Sequence, residues 1–171
     1  MRVIRVDELD AVNGLGIGVT VWISGCRHKC PGCFNTTAWN YDYGLPLEEV
    51  KERVLSAVSK GHITRLSLLG GDPICQPDVG LELLINFLKE IKEKSPKLEI
   101  WLWSGYTLEE IQRSKSKKKD VIALVDYFVD GRFVEELANP NLAFRGSSNQ
   151  VIYKRTDKGL EVDEILMSKK V

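Results

Sequence analysis

The sequence predicts an α/β fold, an open partial β/α barrel with a mostly parallel sheet and outer helices. Three observations lead there. Apolar runs rich in β-branched and aromatic residues, at 17–23, 65–69, 98–103 and within 121–129, alternate with segments of helical period. The stretches with the most chemical potential each follow one of those runs, as ligand sites do at the carboxyl ends of parallel strands. The chain has 171 residues, too few for a closed eight-stranded barrel of ~200 or more. About five or six strands are therefore expected.

The elements follow in order. Residues 2–10 alternate weakly and read as an edge strand or lead-in, and Asn13-Gly14-Leu15-Gly16 is a turn. The first core strand is 17–23. Pro46 opens a helix whose apolar stripe is Leu47, Val50, Val54, Leu55 and Val58, with Gly61 as its stop. The second strand, 65–69, runs into Gly70-Gly71-Asp72-Pro73. A helix over 79–91 places Leu81, Leu84, Ile85, Leu88 and Ile91 on one face, and Ser95-Pro96 breaks it. The third strand ends in Trp101-Leu102-Trp103-Ser104. Thr107 and Glu110 form a capping box for the next helix, which ends in the basic run Lys115 to Lys119. The fourth strand ends at Asp130-Gly131. A polar loop over 144–150 precedes a short strand, and 154–171 is a polar tail, part of it helical.

Composition narrows the class. Hydrophobic residues make up 43% and charged residues 28%, as in a globular domain. Lys plus Arg and Asp plus Glu are both 24, so net charge favours neither a nucleic-acid nor a membrane-surface partner. The basic run is read as a solvated helix end favoured by the helix dipole. No apolar run approaches the ~20 residues of a membrane span, and Asp7 and Glu8 stand where a signal peptide would be apolar. One domain over 1–171 is expected, its core at about 10–153, in a reducing cytoplasmic setting.

The chemistry centres on Cys26-Arg27-His28-Lys29-Cys30-Pro31-Gly32-Cys33. Three thiols at C-x3-C-x2-C spacing on one loop suit an iron–sulfur cube, capping three irons and leaving the fourth open to a ligand. The rival readings are a zinc site completed by His28 or His62, or a disulfide with a spare thiol. Cys75 lies far away in sequence and reads as a small buried residue. Gly70-Gly71 is either a plain turn or a place where backbone approaches a ligand closely. Trp101 and Trp103 share one face and read as core. Asp130-Gly131 is either a turn or a strand-end site.

The cysteine motif after the first core strand resembles that of the radical S-adenosylmethionine (SAM) enzymes. Cys26 to Asn35, Gly70-Gly71-Asp72-Pro73 and Arg145-Gly146-Ser147-Ser148-Asn149-Gln150 are similar to stretches in the small activating proteins of anaerobic ribonucleotide reductase. The resemblance covers about 10–153. It implies a radical SAM fold and a 4Fe–4S cluster on Cys26, Cys30 and Cys33. It implies SAM held by Gly32, Cys33, Phe34, Gly70, Gly71, Asp72, Ser104 and Asp130, with no catalytic residue beyond the cluster ligands. By the same resemblance the partner is the large subunit of the reductase, whose C-terminal glycine receives a radical, and a flavodoxin or ferredoxin supplies the electron. The roles of Arg145 to Gln150 stay unassigned. The alternatives are an activase of the pyruvate formate-lyase type, an enzyme like 7-carboxy-7-deazaguanine synthase, and a zinc or iron–sulfur binding module.

Overall fold

The computed structural model describes residues 1–170. Its frame is one eight-stranded sheet in the order β3-β1-β2-β4-β5-β6-β7-β8. The strands are β1 (Arg2–Asp10), β2 (Gly18–Ile23), β3 (Leu45–Pro46), β4 (Arg65–Gly70), β5 (Glu99–Trp103), β6 (Tyr127–Asp130), β7 (Val151–Thr156) and β8 (Gly159–Val162). The helices are α1 (Leu47–Val58), α2 (Asp78–Lys94), α3 (Leu108–Arg113), α4 (Lys118–Ile122) and α5 (Glu164–Ser168), with short 3-10 turns at Thr36–Trp39 and Glu135–Leu137.

This arrangement corrects the expected open partial β/α barrel. Only β2, β4, β5 and β6 run parallel. At one side β1 returns antiparallel to both β2 and β3, and at the other β6, β7 and β8 form an antiparallel meander. The sheet is therefore mixed rather than mostly parallel. Of the helices only α1 and α2 exceed six residues, so no continuous outer ring forms. The physical reason lies in the connections. A parallel neighbour needs a long crossover, whereas a short loop returns the chain antiparallel. The loop 11–17 joins β1 to β2, and Asp157-Lys158 joins β7 to β8. The run at 2–10 is an internal strand, and the tail expected as polar and partly helical holds the second half of the β7–β8 hairpin followed by α5.

Strand alternation divides the core. Val19, Val21 and Ile23 of β2 and Leu66 and Leu68 of β4 join α1 and α2 residues such as Val54, Leu84 and Leu88 in the larger cluster. The opposite face carries Thr20, Arg65 and Ser67, all fully buried, and then Trp101, Tyr127, Val129 and Ile152, which pack with Leu166 of α5. Trp101 stacks on Tyr127 at 4.0 Å between ring centroids and on Trp103 at 5.6 Å. The Thr107–Glu110 capping box is present at the start of α3. Among the described residues, no helix is long and apolar enough to cross a membrane.

Candidate functional site

A cavity of about 770 Å³ opens on the face of the sheet away from α1 and α2. Cys26, Cys30 and Cys33 all line it, with His28, Gly32 and Phe34 from the same hairpin. Gly70 and Gly71 enter from the end of β4, Trp103 and Ser104 from the end of β5, and Gly131 from just past β6. The carboxyl ends of three neighbouring strands thus meet the cysteine hairpin, as an open α/β sheet favours. The far wall comes from Asn13, Leu142, Phe144 and Arg145.

Local chemistry explains the fit. Gly70 has φ +126°, and a Cβ there would stand 2.5 Å from the Ile23 carbonyl oxygen. A Cβ on Gly71 would stand 2.5 Å from the Ala38 carbonyl oxygen and 2.8 Å from that of Gly25. The Gly-Gly pair therefore lets the end of β4 press against the backbone flanking the cysteine hairpin. The amide of Gly71 donates to Ile23 (2.7 Å) and that of Asp72 to Gly25 (3.0 Å).

The thiols differ in environment. Cys26 is buried, whereas Cys30 and Cys33 are half-buried. Burial pushes the Cys26 thiol up to about 12, against hydrogen bonds from the backbone amides of His28 and Lys29 that favour its thiolate. Lys29 holds φ +48°, a conformation uncommon outside glycine. Among the described residues, no three His, Cys, Asp or Glu side chains converge closely enough for a single metal ion. A lone tetrahedral zinc draws its sulfurs to about 3.8 Å from one another, given Zn–S bonds of about 2.3 Å. A four-iron cube spaces its thiols more widely. Three cysteines around one roomy, largely apolar cavity fit such a group.

The other candidate residues divide. Gly32, Cys33, Phe34, Gly70, Gly71 and Ser104 line the cavity; Asp72 and Asp130 do not. The Phe34 ring is 84% exposed and packs edge-on against Trp22. Asp72 is buried and faces His28. Asp130 is buried at the end of β6, where it accepts from the amides of Leu108 (2.7 Å) and Val151 (3.3 Å). Burial raises the Asp130 carboxyl, opposed by those two bonds. Cys75 lies outside the cavity lining; its Sγ accepts from the Arg27 amide and the Tyr41 hydroxyl, each at 3.3 Å.

Residues without an assigned role also enter the site. Arg145 is 8% exposed; its Nη1 donates to Gln150 O (3.1 Å) and its Nη2 to Met167 O (2.9 Å). The signal was the 145–150 stretch itself. Gln150 Oε1 accepts from the amides of Gly146 and Ser147, while its Nε2 donates to Gly131 O at 2.9 Å. Asn149 donates to Arg132 O at 2.8 Å. This loop thus braces the segment after β6 beside the cavity.

Comparison with known proteins defines the class. Residues 12–153 match the family model described as a 4Fe-4S single cluster domain. The chain is 36% identical over 159 residues to the anaerobic ribonucleoside-triphosphate reductase-activating protein of Pasteurella multocida (strain Pm70), covering 91% of this chain and 99% of that protein. It is 36% identical over 148 residues to the protein of the same name from Escherichia coli (strain K12), covering 85% and 93%. For the one from Enterobacteria phage T4 the identity is 37% over 155 residues, covering 90% and 94%. The chain belongs to the family of anaerobic ribonucleoside-triphosphate reductase-activating proteins.

Proposed function

We propose that this protein is a radical SAM activase that generates the glycyl radical of anaerobic ribonucleotide reductase. The observation that carries the reading is the convergence of Cys26, Cys30 and Cys33 with Gly70, Gly71 and Ser104 on one cavity. The three thiolates hold a 4Fe–4S cluster. When bound there, such a cluster would supply the one-electron reduction, drawn from an external donor, that cleaves the sulfonium of SAM and so allows removal of a hydrogen atom from a glycine of the reductase.

The chain's own residues bind, orient and exclude water. The backbone of Gly32, Cys33 and Phe34 and the strand-end segments at Gly70, Gly71 and Ser104 surround SAM. Asp72 and Asp130 act from behind the wall, through the backbone and side chains that they fix. Trp103, Leu142 and Phe144 keep the cavity apolar, which limits side reactions with solvent. The partner is the reductase large subunit, a small electron-transfer protein is the donor, and the setting is the reducing cytoplasm.

Anaerobic reconstitution with iron and sulfide tests this. The expected product is a brown protein that releases 5′-deoxyadenosine only when SAM and a reductant are both added. Mixed with the reductase, it produces a glycyl-radical signal in electron paramagnetic resonance. A protein that refuses iron and sulfide, or a Cys30→Ala variant that still cleaves SAM, would sink the reading.

A further inference from the structure

We infer that Asp72, the acid of the Gly-Gly-Asp turn, is a positioning residue that fastens the cysteine hairpin to the sheet through His28. The inference rests on the reading of Cys26, Cys30 and Cys33 as cluster thiolates. It gives Asp72 a different task from the ligand contact that the motif suggested.

His28 stands between the first two cysteines of the hairpin. Its side chain is 6% exposed and that of Asp72 is 1% exposed. The His28 Nε2–H donates to Asp72 Oδ2 at 2.8 Å. The same oxygen accepts from Ser104 Oγ at 2.8 Å and from the Gly105 amide at 3.0 Å, while Oδ1 accepts from the Ile74 amide at 3.0 Å. A carboxylate has about four lone-pair sites. Four donors converge on this one, three on Oδ2 and one on Oδ1, and Asp72 does not line the cavity.

Those donors come from three separate segments: the hairpin, the turn after β4 and the end of β5. The carboxylate therefore ties together the backbone pieces that must agree for the cavity to keep its shape. Packing secures the same contact. The His28 ring meets Tyr106 edge-on at 4.5 Å. It also rests directly over Gly105, where a Cβ would collide with the imidazole. Elsewhere the hairpin is loosely held. Among the described residues, the bonds that 27–33 makes to the rest of the protein are the His28–Asp72 bond and the Arg27 amide to Cys75 Sγ. Buried bonds to a carboxylate are stronger than neutral ones, and removing one partner strands the other.

Two kinds of measurement test the inference. In the metal-free protein, Asp72→Asn shifts the NMR signals of the His28 ring while the amide spectrum stays that of a folded chain; an unmoved His28 ring overturns the pairing. After anaerobic reconstitution, Asp72→Asn and His28→Ala each release iron to a chelator ~10-fold faster than wild type, the scale for residues that orient ligating groups. The double variant is no faster than the faster single one, because both act through one bond. His28→Gln keeps a donor near Nε2 and restores slow release. The paramagnetic signal of the reduced protein changes shape in Asp72→Asn and His28→Ala. SAM affinity, measured on protein with its full iron content, falls no further in Asp72→Asn than in Ser104→Ala, because Asp72 reaches the cavity only through the groups that it fixes.

Wild-type release rates and signal shape in both single variants would overturn the inference, as would additive effects. So would a loss of SAM affinity at full iron content that is larger in Asp72→Asn than in Ser104→Ala, because Asp72 would then be a ligand contact. A wild-type protein that takes up no iron overturns the proposed function instead, and the metal-free NMR arm still decides whether Asp72 holds His28.

Discussion

Two buried carboxylates stand at opposite ends of the parallel strands, and they do different work. Asp72 lies just past the carboxyl end of β4 and gathers donors from the cysteine hairpin, its own turn and the end of β5. Asp10 lies at the other end, where β1 turns into β2. It accepts from the amides of Val12 (2.6 Å) and Asn13 (3.2 Å), from the Asn13 side chain (2.6 Å) and from Thr20 Oγ1. It also faces Arg65, whose side chain is fully buried. Arg65 donates to Ser67 Oγ at 2.7 Å and to the carbonyls of Asp10 and Leu15 at 2.8 Å and 3.1 Å. Apart from Arg65 the partners of Asp10 lie within ten residues of it, and the cluster forms a buried floor from which Asn13 also reaches the cavity wall. Those of Asp72 span three segments and shape an open cavity. One acid serves stability and the other serves placement.

That contrast is open to experiment, starting with the largest effect. Cys30→Ala should abolish iron uptake yet leave the urea midpoint of the metal-free protein unchanged, since Cys30 is half-exposed on the hairpin; a large drop in the midpoint would show that the hairpin also carries stability. Arg65→Ala should cost about 3–5 kcal/mol in urea unfolding, because it leaves Asp10 without its buried counter-charge. Iron release from the variant that remains folded should stay slow. Fast release would erase the distinction between floor and site.

The acid limb sharpens the same comparison. Burial alone would raise the Asp10 carboxyl, but hydrogen bonds from Thr20, Val12 and Asn13 prevail and hold it at about 2, below its ordinary 3.8. A depressed carboxylate contributes stability that is fully present above the ordinary range and is lost as pH falls from about 4 to about 2. The amount is about 2 kcal/mol. Asp10→Asn should flatten that part of the pH dependence, and an unchanged slope would count against the cluster. The smallest effect belongs to Thr107→Ala, which removes a cap outside both regions and should cost about 1 kcal/mol in unfolding free energy.

Much of this was legible in the chain. The apolar, β-branched run at 17–23 marks β2, and the stripe Leu81, Leu84, Leu88, Ile91 marks α2, because residue type and side-chain spacing act between neighbours along the chain. Pro46 precedes α1 as its residue type suggests. The antiparallel flanks were not legible. Residues 154–171 contain few apolar positions, and the pairing of β7 with β8 depends on partners that local pattern does not name. Nor was the direction of Asp72 legible. A Gly-Gly-Asp turn reads equally as a ligand clamp or a brace, and the choice depends on His28, 44 residues away. Arg145 stood in a conspicuous stretch, but its acceptors, Gln150 O and Met167 O, are carbonyls, which sequence does not distinguish.

The sequence by itself determined the cysteine spacing, the core periods and the glycines at the end of β4, since these are properties of neighbours along the chain. Only the tertiary structure decided the mixed sheet, the shared cavity and the partners of each buried acid. Those outcomes depend on which distant groups meet where water is excluded, and there an unpaired charge or donor costs too much to leave unmatched.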